Sequence, residues 1–312
     1  MEMTTGNEMM ITVSGVTKNF GAFRALDGLS LNVKKGSVYG LVGPNGAGKT
    51  TFIKALMGIY KADSGEMTLD GKPIFENEEV KSRMIYVCDD LFYYPTYTIE
   101  QTAKMYADIY PNWSNELFEK LHDIYKIDLK RKVIRLSKGM QKQVAFWLGI
   151  SAQPDVMILD EPIDGLDPVM RRNTWRLVLN EVAERGMTVL ISSHNLRELE
   201  DVCDHVGIMF GGKMVIEKSL DDVKGNIHKI QIAFAKEGSD EKLALFTSNL
   251  ELLHESRMGS VASLIVKGDM EDIKNIAAQY SPVVFDIIPL TLEEVFIYEL
   301  GGMGYEFENI LI

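Results

Sequence analysis

Apolar positions recur in short runs along the first two thirds of the chain. Residues 9–17 alternate between apolar and polar side chains, which predicts a strand with one buried face. Val38–Val42 and Val156–Leu159 are continuously apolar, which is typical of buried strands. Further strands are predicted over residues 29–33, 66–69, 84–88, 188–191, 205–210 and 213–217. Because helical stretches separate several of these strands, the pattern indicates an α/β fold.

Residues 98–152 have a different periodicity. Apolar positions with helical spacing occur over residues 99–109, 116–125 and 140–150, and Pro111 and the basic cluster 130–132 separate them. This stretch is predicted to be a helical subdomain inserted into the mixed fold. Another helix is predicted from Pro168 to Glu184, with Asp167 as its N-cap.

The pattern changes again after residue 225. Strands are predicted over 227–234, 250–255, 262–267 and 283–288, and helices over 240–246 and 270–280. This βαββαβ order suits a small ferredoxin-like domain. A final amphipathic helix is predicted over residues 291–300. We therefore expect a first domain of residues 1–225 and an accessory α+β domain of residues 226–312, acting in packing or dimerisation.

Composition limits the protein classes to consider. The 312 residues are 46% hydrophobic and 25% charged, which is close to the globular average and sufficient for two domains. The net charge of −12 argues against a broadly basic nucleic-acid surface. We expect a cytoplasmic protein, because the sequence has neither a leader pattern nor an apolar stretch of membrane-spanning length. Cys88 and Cys203 give no zinc or disulfide pattern.

The segment Gly43–Thr50, with the sequence GPNGAGKT, carries the strongest chemical signal. It follows the apolar run Val38–Val42 and opens onto the helical stretch 51–57. The pattern G-x-x-x-x-G-K-[ST] lets backbone N–H groups surround phosphates, while the lysine reaches the terminal phosphates and the hydroxyl binds Mg²⁺. The sequence therefore predicts a nucleoside triphosphate site.

Acidic and polar residues follow several of the other predicted strands. Asp160 and Glu161 end one buried strand, which is typical of nucleotide hydrolysis: the first acid helps to hold Mg²⁺ and the second polarises a water. A lone histidine at a strand end, such as His194, is more often structural, but its position at the same edge of a parallel sheet as the two acids also fits a functional role. Asp89 and Asp90 follow a third, and these carboxylates fit a ligand-binding edge and a solvated turn about equally well.

Two further features gain meaning only together with the phosphate loop. Ser137 is placed as the N-cap of the helix over residues 140–150, where free N–H groups can hold an anion or simply be capped. Phe20 precedes the loop and could stack on adenine, although its spacing alone favours a core position.

Taken in order, five motifs resemble the ATPase subunit of ATP-binding cassette (ABC) transporters. They are Gly43–Thr50, Leu136–Gln141, Leu159–Pro162, Gly165–Asp167 and Ser193–His194. The match extends over roughly residues 9–225. The signature segment and residues 290–296 look most similar to the exporter-type members, which work with a separate membrane permease.

The resemblance implies a fold and a set of site residues. The fold is an α/β P-loop NTPase cassette with a mixed sheet core, an antiparallel β subdomain and a helical signature subdomain, followed by a small α+β domain. The implied ATP-binding residues are Phe20, Gly43, Pro44, Asn45, Gly46, Ala47, Gly48, Lys49, Thr50 and Thr51. Thr50, Asp160 and Asp89 are implied at Mg²⁺, Glu161 as the catalytic base, and His194 as the switch residue at the γ-phosphate.

The resemblance also implies partners. Ser137, Lys138, Gly139, Met140 and Gln141 are implied to contact ATP held by a second cassette, and Asp167 to join the two cassettes. A homodimer is expected because one chain contains all the motifs. The pair is implied to energise a membrane permease from the cytoplasmic face of the cell membrane, exporting a drug, peptide, lipid or similar substrate.

The chain departs from the family pattern at two places. Lys138 and Met140 replace a glycine and a glutamine of the common signature, while Ser137 and Gly139 remain. Asp89 stands where the family normally has a glutamine that touches Mg²⁺ and relays to the permease. We expect this change to alter coupling or to slow hydrolysis.

The principal alternative is a soluble ABC-type ATPase that acts on ribosomes or nucleic acid. Such proteins usually have two cassettes in one chain or a long coiled-coil insertion, and this sequence shows neither. A P-loop GTPase or small-molecule kinase is also disfavoured, because the sequence has no Asn-Lys-x-Asp guanine motif and the Ser137 motif would be unexplained. The sequence does not identify the transported substrate.

Overall fold

The computed structural model describes residues 8–163, 165–220, 227–235, 238–291 and 293–294. The chain forms two compact units, Met1–Glu217 and Lys218–Ile312. The boundary predicted after residue 225 therefore falls inside the second unit. The helix predicted over residues 291–300 lies mostly outside the described residues. None of the helices in the described ranges combines the length and the apolar character that crossing a bilayer requires.

Strands and helices alternate along the first unit, and its last strand continues two residues past Glu217. The strands are β1 (Met9–Phe20), β2 (Phe23–Lys34), β3 (Val38–Val42), β4 (Ser64–Leu69), β5 (Lys72–Pro73), β6 (Met84–Val87), β7 (Val156–Asp160), β8 (Thr188–Ser193), β9 (His205–Phe210) and β10 (Lys213–Ser219). The helices are α1 (Lys49–Leu56), α2 (Glu78–Lys81), α3 (Ile99–Ile109), α4 (Asn115–Tyr125), α5 (Lys138–Ser151), α6 (Pro168–Arg185) and α7 (Leu196–Leu199), with a 3₁₀ helix at Val133–Arg135.

A six-stranded sheet in the order β10-β9-β3-β8-β7-β6 forms the centre of the first unit. Its neighbours from β9 to β6 pair in parallel. Every residue of β3, β7 and β8 is buried, which explains their continuous apolar runs. Parallel strands end at one edge of the sheet, so the segments that follow β3, β6, β7 and β8 emerge side by side. These segments carry the phosphate loop, Asp89, Glu161 and His194, and Asp160 is the last residue of β7.

A second sheet of the first unit, in the order β2-β1-β4-β5, is antiparallel. Its residues Ile11 and Leu29 join Phe52 and Ile53 of α1 in one buried cluster. This packing fixes the position of α1, the helix that follows the phosphate loop.

Helices α3, α4 and α5 occupy the region where a helical subdomain is predicted. Thr98, Ser114 and Ser137 cap them, each accepting a backbone N–H bond with its hydroxyl oxygen. The buried Trp147 of α5 stacks on Phe118 of α4 with 4.6 Å between ring centroids, and its indole N–H donates to the Phe118 carbonyl at 2.8 Å. This contact joins α5 to α4.

The second unit contains β11 (Ile227–Ala233), α8 (Ser239–Thr247), β12 (Glu251–Met258), β13 (Val261–Lys267), α9 (Met270–Gln279) and β14 (Val284–Ile288). Its sheet has the order β12-β13-β11-β14, and all neighbours are antiparallel. The βαββαβ connection with this strand order is the ferredoxin-like topology. Ile230 and Leu264 of the sheet pack with Phe246 and Ile273 of the two helices in a separate core. The predicted α/β class, with a mixed sheet, an antiparallel sheet and a small α+β unit, is confirmed.

Candidate active site

The loop between β3 and α1 encloses a space for an anion. Its Gly48 has φ 106°, and a Cβ there would lie 2.7 Å from the Ala25 carbonyl oxygen. A Cβ on Gly43 would lie 2.2 Å from the Met209 carbonyl oxygen. No side chain caps the first N–H groups of α1 at Gly48, so these donors face the space above the helix. The loop therefore needs glycine at these positions and offers backbone donors to phosphate.

Lys49 is buried at the start of α1. Its ammonium donates to the Gly43 carbonyl at 2.5 Å and to the Pro44 carbonyl at 3.3 Å. It also lies 3.7 Å from Glu161 Oε1. Burial lowers the pKa of Lys49, while the negative charges of Glu161 and Asp160 oppose that change. The ammonium is thus held over the loop by oxygen atoms that phosphate oxygens can replace.

Asp160, at the end of β7, is buried and accepts three hydroxyl hydrogen bonds. Thr50 donates at 3.3 Å, Tyr86 donates at 3.2 Å, and Ser192 also donates to this carboxylate. Burial, and secondly the charge of Asp160, raise the pKa of Tyr86, so its hydroxyl remains a donor. Sequence reasoning missed Tyr86 and Ser192. They lie on β6 and β8, which flank β7, so the strand order brings them to Asp160.

Glu161 and His194 meet at the same edge of the sheet. His194 Nδ1 lies 2.9 Å from Glu161 Oε2, and Glu161 Oε1 faces Lys49. Glu161 has φ 47°, in the left-handed region, and its N–H donates to the Ser192 carbonyl at 3.1 Å. An acid so oriented between a histidine and the phosphate-loop lysine can accept a proton from a water beside a terminal phosphate.

Asp89 follows β6 and pairs with Lys142 of α5. Lys142 Nζ lies 3.2 Å from Asp89 Oδ1 and donates to the Glu161 carbonyl at 3.0 Å. Sequence reasoning missed Lys142, because only the tertiary structure brings α5 next to the ends of β6 and β7.

One cavity of about 570 Å³ joins most of these groups. It is lined by residues 44–51 of the loop together with Phe23, Ala25, Lys54, Tyr86, Cys88, Asp89, Asp90, Asp160 and Glu161. Phe20 is not among its lining residues. Its ring instead contacts Tyr60 edge-on with 5.4 Å between centroids. Phe23, which is 63% exposed, lines this cavity, as does the aromatic ring of Tyr86.

The predicted signature residues lie outside that cavity. The Ser137 hydroxyl accepts the Met140 N–H at 3.3 Å, and a Cβ on Gly139 would lie 3.1 Å from the Gly165 carbonyl oxygen. The Gln141 amide donates to the Leu136 carbonyl at 3.0 Å. Lys138 and Gln141 line a separate cavity of about 420 Å³, which shares Asp89 and Asp90 with the first.

Asp167 also lies outside the 570 Å³ cavity. It caps α6 by accepting the N–H groups of Val169 and Met170, both at 3.0 Å. Within one chain, the structure therefore brings the loop, Asp160, Glu161, His194 and Asp89 together, but not Ser137, Gly139 or Asp167.

Comparison with known proteins identifies the family. The family model described as ABC transporter matches residues 26–164. The ABC transporter ATP-binding protein YtrB of Bacillus subtilis (strain 168) is 33% identical over 293 residues, covering 94% of this chain and 99% of that protein. The chain belongs to the ATP-binding proteins of ABC transporters. The bacitracin transport ATP-binding protein BcrA of Bacillus licheniformis is 28% identical over 310 residues, covering 94% of this chain and 98% of that protein.

Solved structures show the same cassette. An ATP-binding subunit of an ABC transporter superposes with a TM-score of 0.65 and 26% identity, over 69% of this chain and 92% of that one. The ADP conformation of the ABC transporter cassette MJ1267 superposes with a TM-score of 0.59 and 27% identity, over 69% of this chain and 93% of that one.

The family confirms the predicted activity. This ABC cassette protein is an ATPase of a transporter, and ATP and ADP are ligands of cassettes of this kind. Proteins of the family work with membrane components of the transporter. The soluble regulatory alternative is not favoured.

Proposed function

We propose that this cassette is the ATP-driven motor of an exporter and that hydrolysis takes place at the edge of the parallel sheet. The observation that carries the proposal is the convergence of Lys49, Asp160, Glu161 and His194 around the end of one phosphate loop. In this arrangement the backbone N–H groups of the loop and Lys49 bind the phosphates of ATP. Phe23, and Phe20 beside it along the chain, are the candidate contacts for adenine.

Glu161 acts as the base in this proposal. Its carboxylate accepts a proton from the water that attacks the γ-phosphate, while His194 orients the carboxylate through the 2.9 Å contact and reaches the phosphate. Lys49 balances the negative charge that develops on the phosphate oxygens. These roles need no movement of the sheet, because three neighbouring strands hold the groups.

The residues present fit a Mg²⁺ ion. Thr50 and Asp160 offer a hydroxyl and a carboxylate within 3.3 Å of each other, with Asp89 on the same cavity. In the described ranges, no three or more His, Cys, Asp and Glu side chains form a metal-binding cluster. This suits Mg²⁺, which typically takes one or two protein ligands and completes its shell with phosphates and waters. When bound, Mg²⁺ neutralises charge on the phosphates of the substrate.

A second copy of the cassette completes the site. Ser137, Gly139 and Asp167 lie away from the cavity of their own chain, as residues that act across an interface must. Because one chain carries every motif, we infer a homodimer in which each signature helix meets the ATP of the other chain.

The membrane partner is a permease. Exposed aromatic side chains follow Asp89 and Asp90, with Phe92 78%, Tyr94 50% and Tyr97 36% exposed. Such an apolar patch marks an interaction surface, here beside the metal-binding edge. We place the protein on the cytoplasmic face of the membrane. The net charge of −12 does not favour nucleic acid as a partner.

Export is inferred from the relatives' names. BcrA is named for bacitracin transport, and a further relative, YbhF of Escherichia coli (strain K12), is named a probable multidrug transporter protein at 31% identity. The second unit carries no part of the proposed site, so we assign it to packing or dimerisation.

The test combines a trapped dimer with partner capture. Glu161→Gln protein with ATP and Mg²⁺ should shift from monomer to dimer in light scattering, whereas Glu161→Gln without nucleotide should not. Tagged Glu161→Gln protein should then co-purify a multi-span protein from detergent-solubilised membranes of the source cell. Recovery of ribosomes or nucleic acid without a membrane protein would overturn the transporter assignment.

A further inference from the structure

Lys142 is a buried cation at the edge of the active site. Its side chain is 6% exposed, yet it belongs to α5, whose first turn carries the signature residues. Its ammonium lies 3.2 Å from Asp89 Oδ1 and 3.0 Å from the Glu161 main-chain oxygen. One side chain of α5 therefore links this helix to two other segments, the loop after β6 and the loop after β7.

The burial of Lys142 makes its two contacts necessary. A buried ammonium is unfavourable unless a counter-charge and hydrogen-bond acceptors replace its water. Asp89 supplies that charge and the Glu161 carbonyl supplies an acceptor. Asp89 itself is 60% exposed, so water also reaches the pair from the cavity side.

The contact with Glu161 falls on an unusual backbone. Glu161 has φ 47°, which non-glycine residues adopt rarely. Its N–H is fixed by the Ser192 carbonyl at 3.1 Å, and its own carbonyl is fixed by Lys142. The two bonds hold the peptides on both sides of Glu161, and they thereby aim its carboxylate at His194 and Lys49.

We propose that Lys142 is a positioning residue for ATP hydrolysis, fixing the Glu161 backbone while neutralising Asp89. The inference rests on the proposed role of Glu161 as the base. Lys142 is a residue of α5, the helix that Ser137 caps. A displacement of α5 would therefore move the Lys142 ammonium, which binds the Glu161 carbonyl. The geometry also assigns Asp89 and Lys142 as a matched pair: the aspartate is tolerated at its position because the lysine balances its charge.

The first test separates positioning from stability. Lys142→Met should lower kcat of basal ATP hydrolysis by roughly tenfold or more, with KM for ATP changed by less than about threefold. The affinity for ATP in EDTA, read from a fluorescent nucleotide, should remain within about twofold of wild type, because the phosphate loop is untouched. Lys142→Arg keeps the charge and should recover most of the lost kcat. A residue with a structural role alone would lower melting temperature and ATP affinity together, and arginine would not restore kcat selectively.

The second test substitutes the exposed partner, Asp89, while the Glu161 carbonyl remains as an acceptor for the ammonium, and the melting temperature of each variant reports on folding. Asp89→Gln restores the residue usual in the family but leaves the buried ammonium without its counter-charge, so we expect kcat to fall; a rise in kcat would instead support the sequence-based expectation that Asp89 itself slows hydrolysis. Adding Lys142→Gln removes the charge and keeps a donor for the Glu161 carbonyl, so the double variant should be faster than Asp89→Gln alone. Strictly additive losses in this cycle would overturn the matched pair.

The outcomes distinguish this inference from the proposed function. If Lys142→Met and Asp89→Gln keep the wild-type kcat while Glu161→Gln is inactive, the positioning role of Lys142 is overturned and the proposed function stands. Full activity in Glu161→Gln removes the base on which both proposals rest.

Discussion

At the residue scale, the glycines of the phosphate loop are required for different reasons. Gly43 has no room for a side chain, because its Cβ would lie 2.2 Å from the Met209 carbonyl oxygen. Gly46 has φ 83° but open space around it. Gly48 combines both constraints, with φ 106° and the Ala25 carbonyl oxygen 2.7 Å from a Cβ. Backbone conformation and steric contact can therefore be tested separately.

We predict that Gly48→Ala is more damaging than Gly46→Ala. Gly46→Ala meets only the unfavourable positive φ, which costs about 1–2 kcal/mol. Gly48→Ala adds a clash with a main-chain oxygen and must move the loop. Urea unfolding and nucleotide titration of both variants provide the measurement. Equal losses of ATP affinity would show that the contact with Ala25 is not a constraint.

At the scale of the elements, α5 combines three functions along one helix. Ser137 caps its start, Lys142 reaches Asp89 and the Glu161 backbone, and Trp147 anchors it to α4. The hydroxyl of Ser137 is thus both an N-cap and a predicted contact for the ATP of another chain. A second capped helix in the same subdomain allows the two roles to be separated.

We predict that Ser137→Ala and Ser114→Ala destabilise the protein similarly but differ in activity. Each removes a hydroxyl that accepts one backbone N–H bond, from Met140 at 3.3 Å and from Leu117 at 3.1 Å. The expected cost is about 1 kcal/mol for either cap. Only Ser137→Ala should also reduce the rate of ATP hydrolysis, measured at a protein concentration high enough that the rate per chain no longer rises. A loss of activity in Ser114→Ala that equals the loss in Ser137→Ala would mean that capping alone explains both.

At the scale of the whole molecule, the first unit contains every predicted site residue, but Ser137, Gly139 and Asp167 lie outside its 570 Å³ cavity. The phosphate loop and the signature residues belong to one polypeptide, but the signature residues do not line the cavity that the phosphate loop forms. The proposed homodimer therefore predicts how much activity a mixture of two variants should have.

We predict that a one-to-one mixture of Lys49→Met and Ser137→Ala chains is more active than either variant alone. Half of the dimers are mixed, and each mixed dimer has one intact site, so about one quarter of wild-type activity is expected if the two sites are independent. Lys49→Met mixed with Glu161→Gln is the control, because both changes damage the same half-site and no intact site forms. An inactive first mixture would contradict the trans arrangement.

The strand positions, the phosphate loop and the acids after β7 could be predicted because they depend on local patterns. Val38–Val42 and Val156–Leu159 are continuously apolar because parallel strands are covered on both faces. The segment GPNGAGKT is recognisable because its glycines permit the loop conformation that surrounds a phosphate. The order of these motifs along the chain indicated the family, and the predicted family is confirmed. The roles of the individual site residues stay predictions that the variants above address.

Contacts between distant segments were beyond the sequence. Nothing in the order of residues states that β6 and β8 flank β7, and therefore that Tyr86 and Ser192 donate to Asp160. The same is true of Phe23 at the cavity and of the pairing between Lys142 and Asp89. By itself the sequence determined the family and the position of the motifs, and it predicted which residues bind phosphate and polarise water, because spacing and residue type encode that chemistry. Only the tertiary structure decided which side chains neutralise or orient those residues, because strand order and helix packing bring these neighbours into contact.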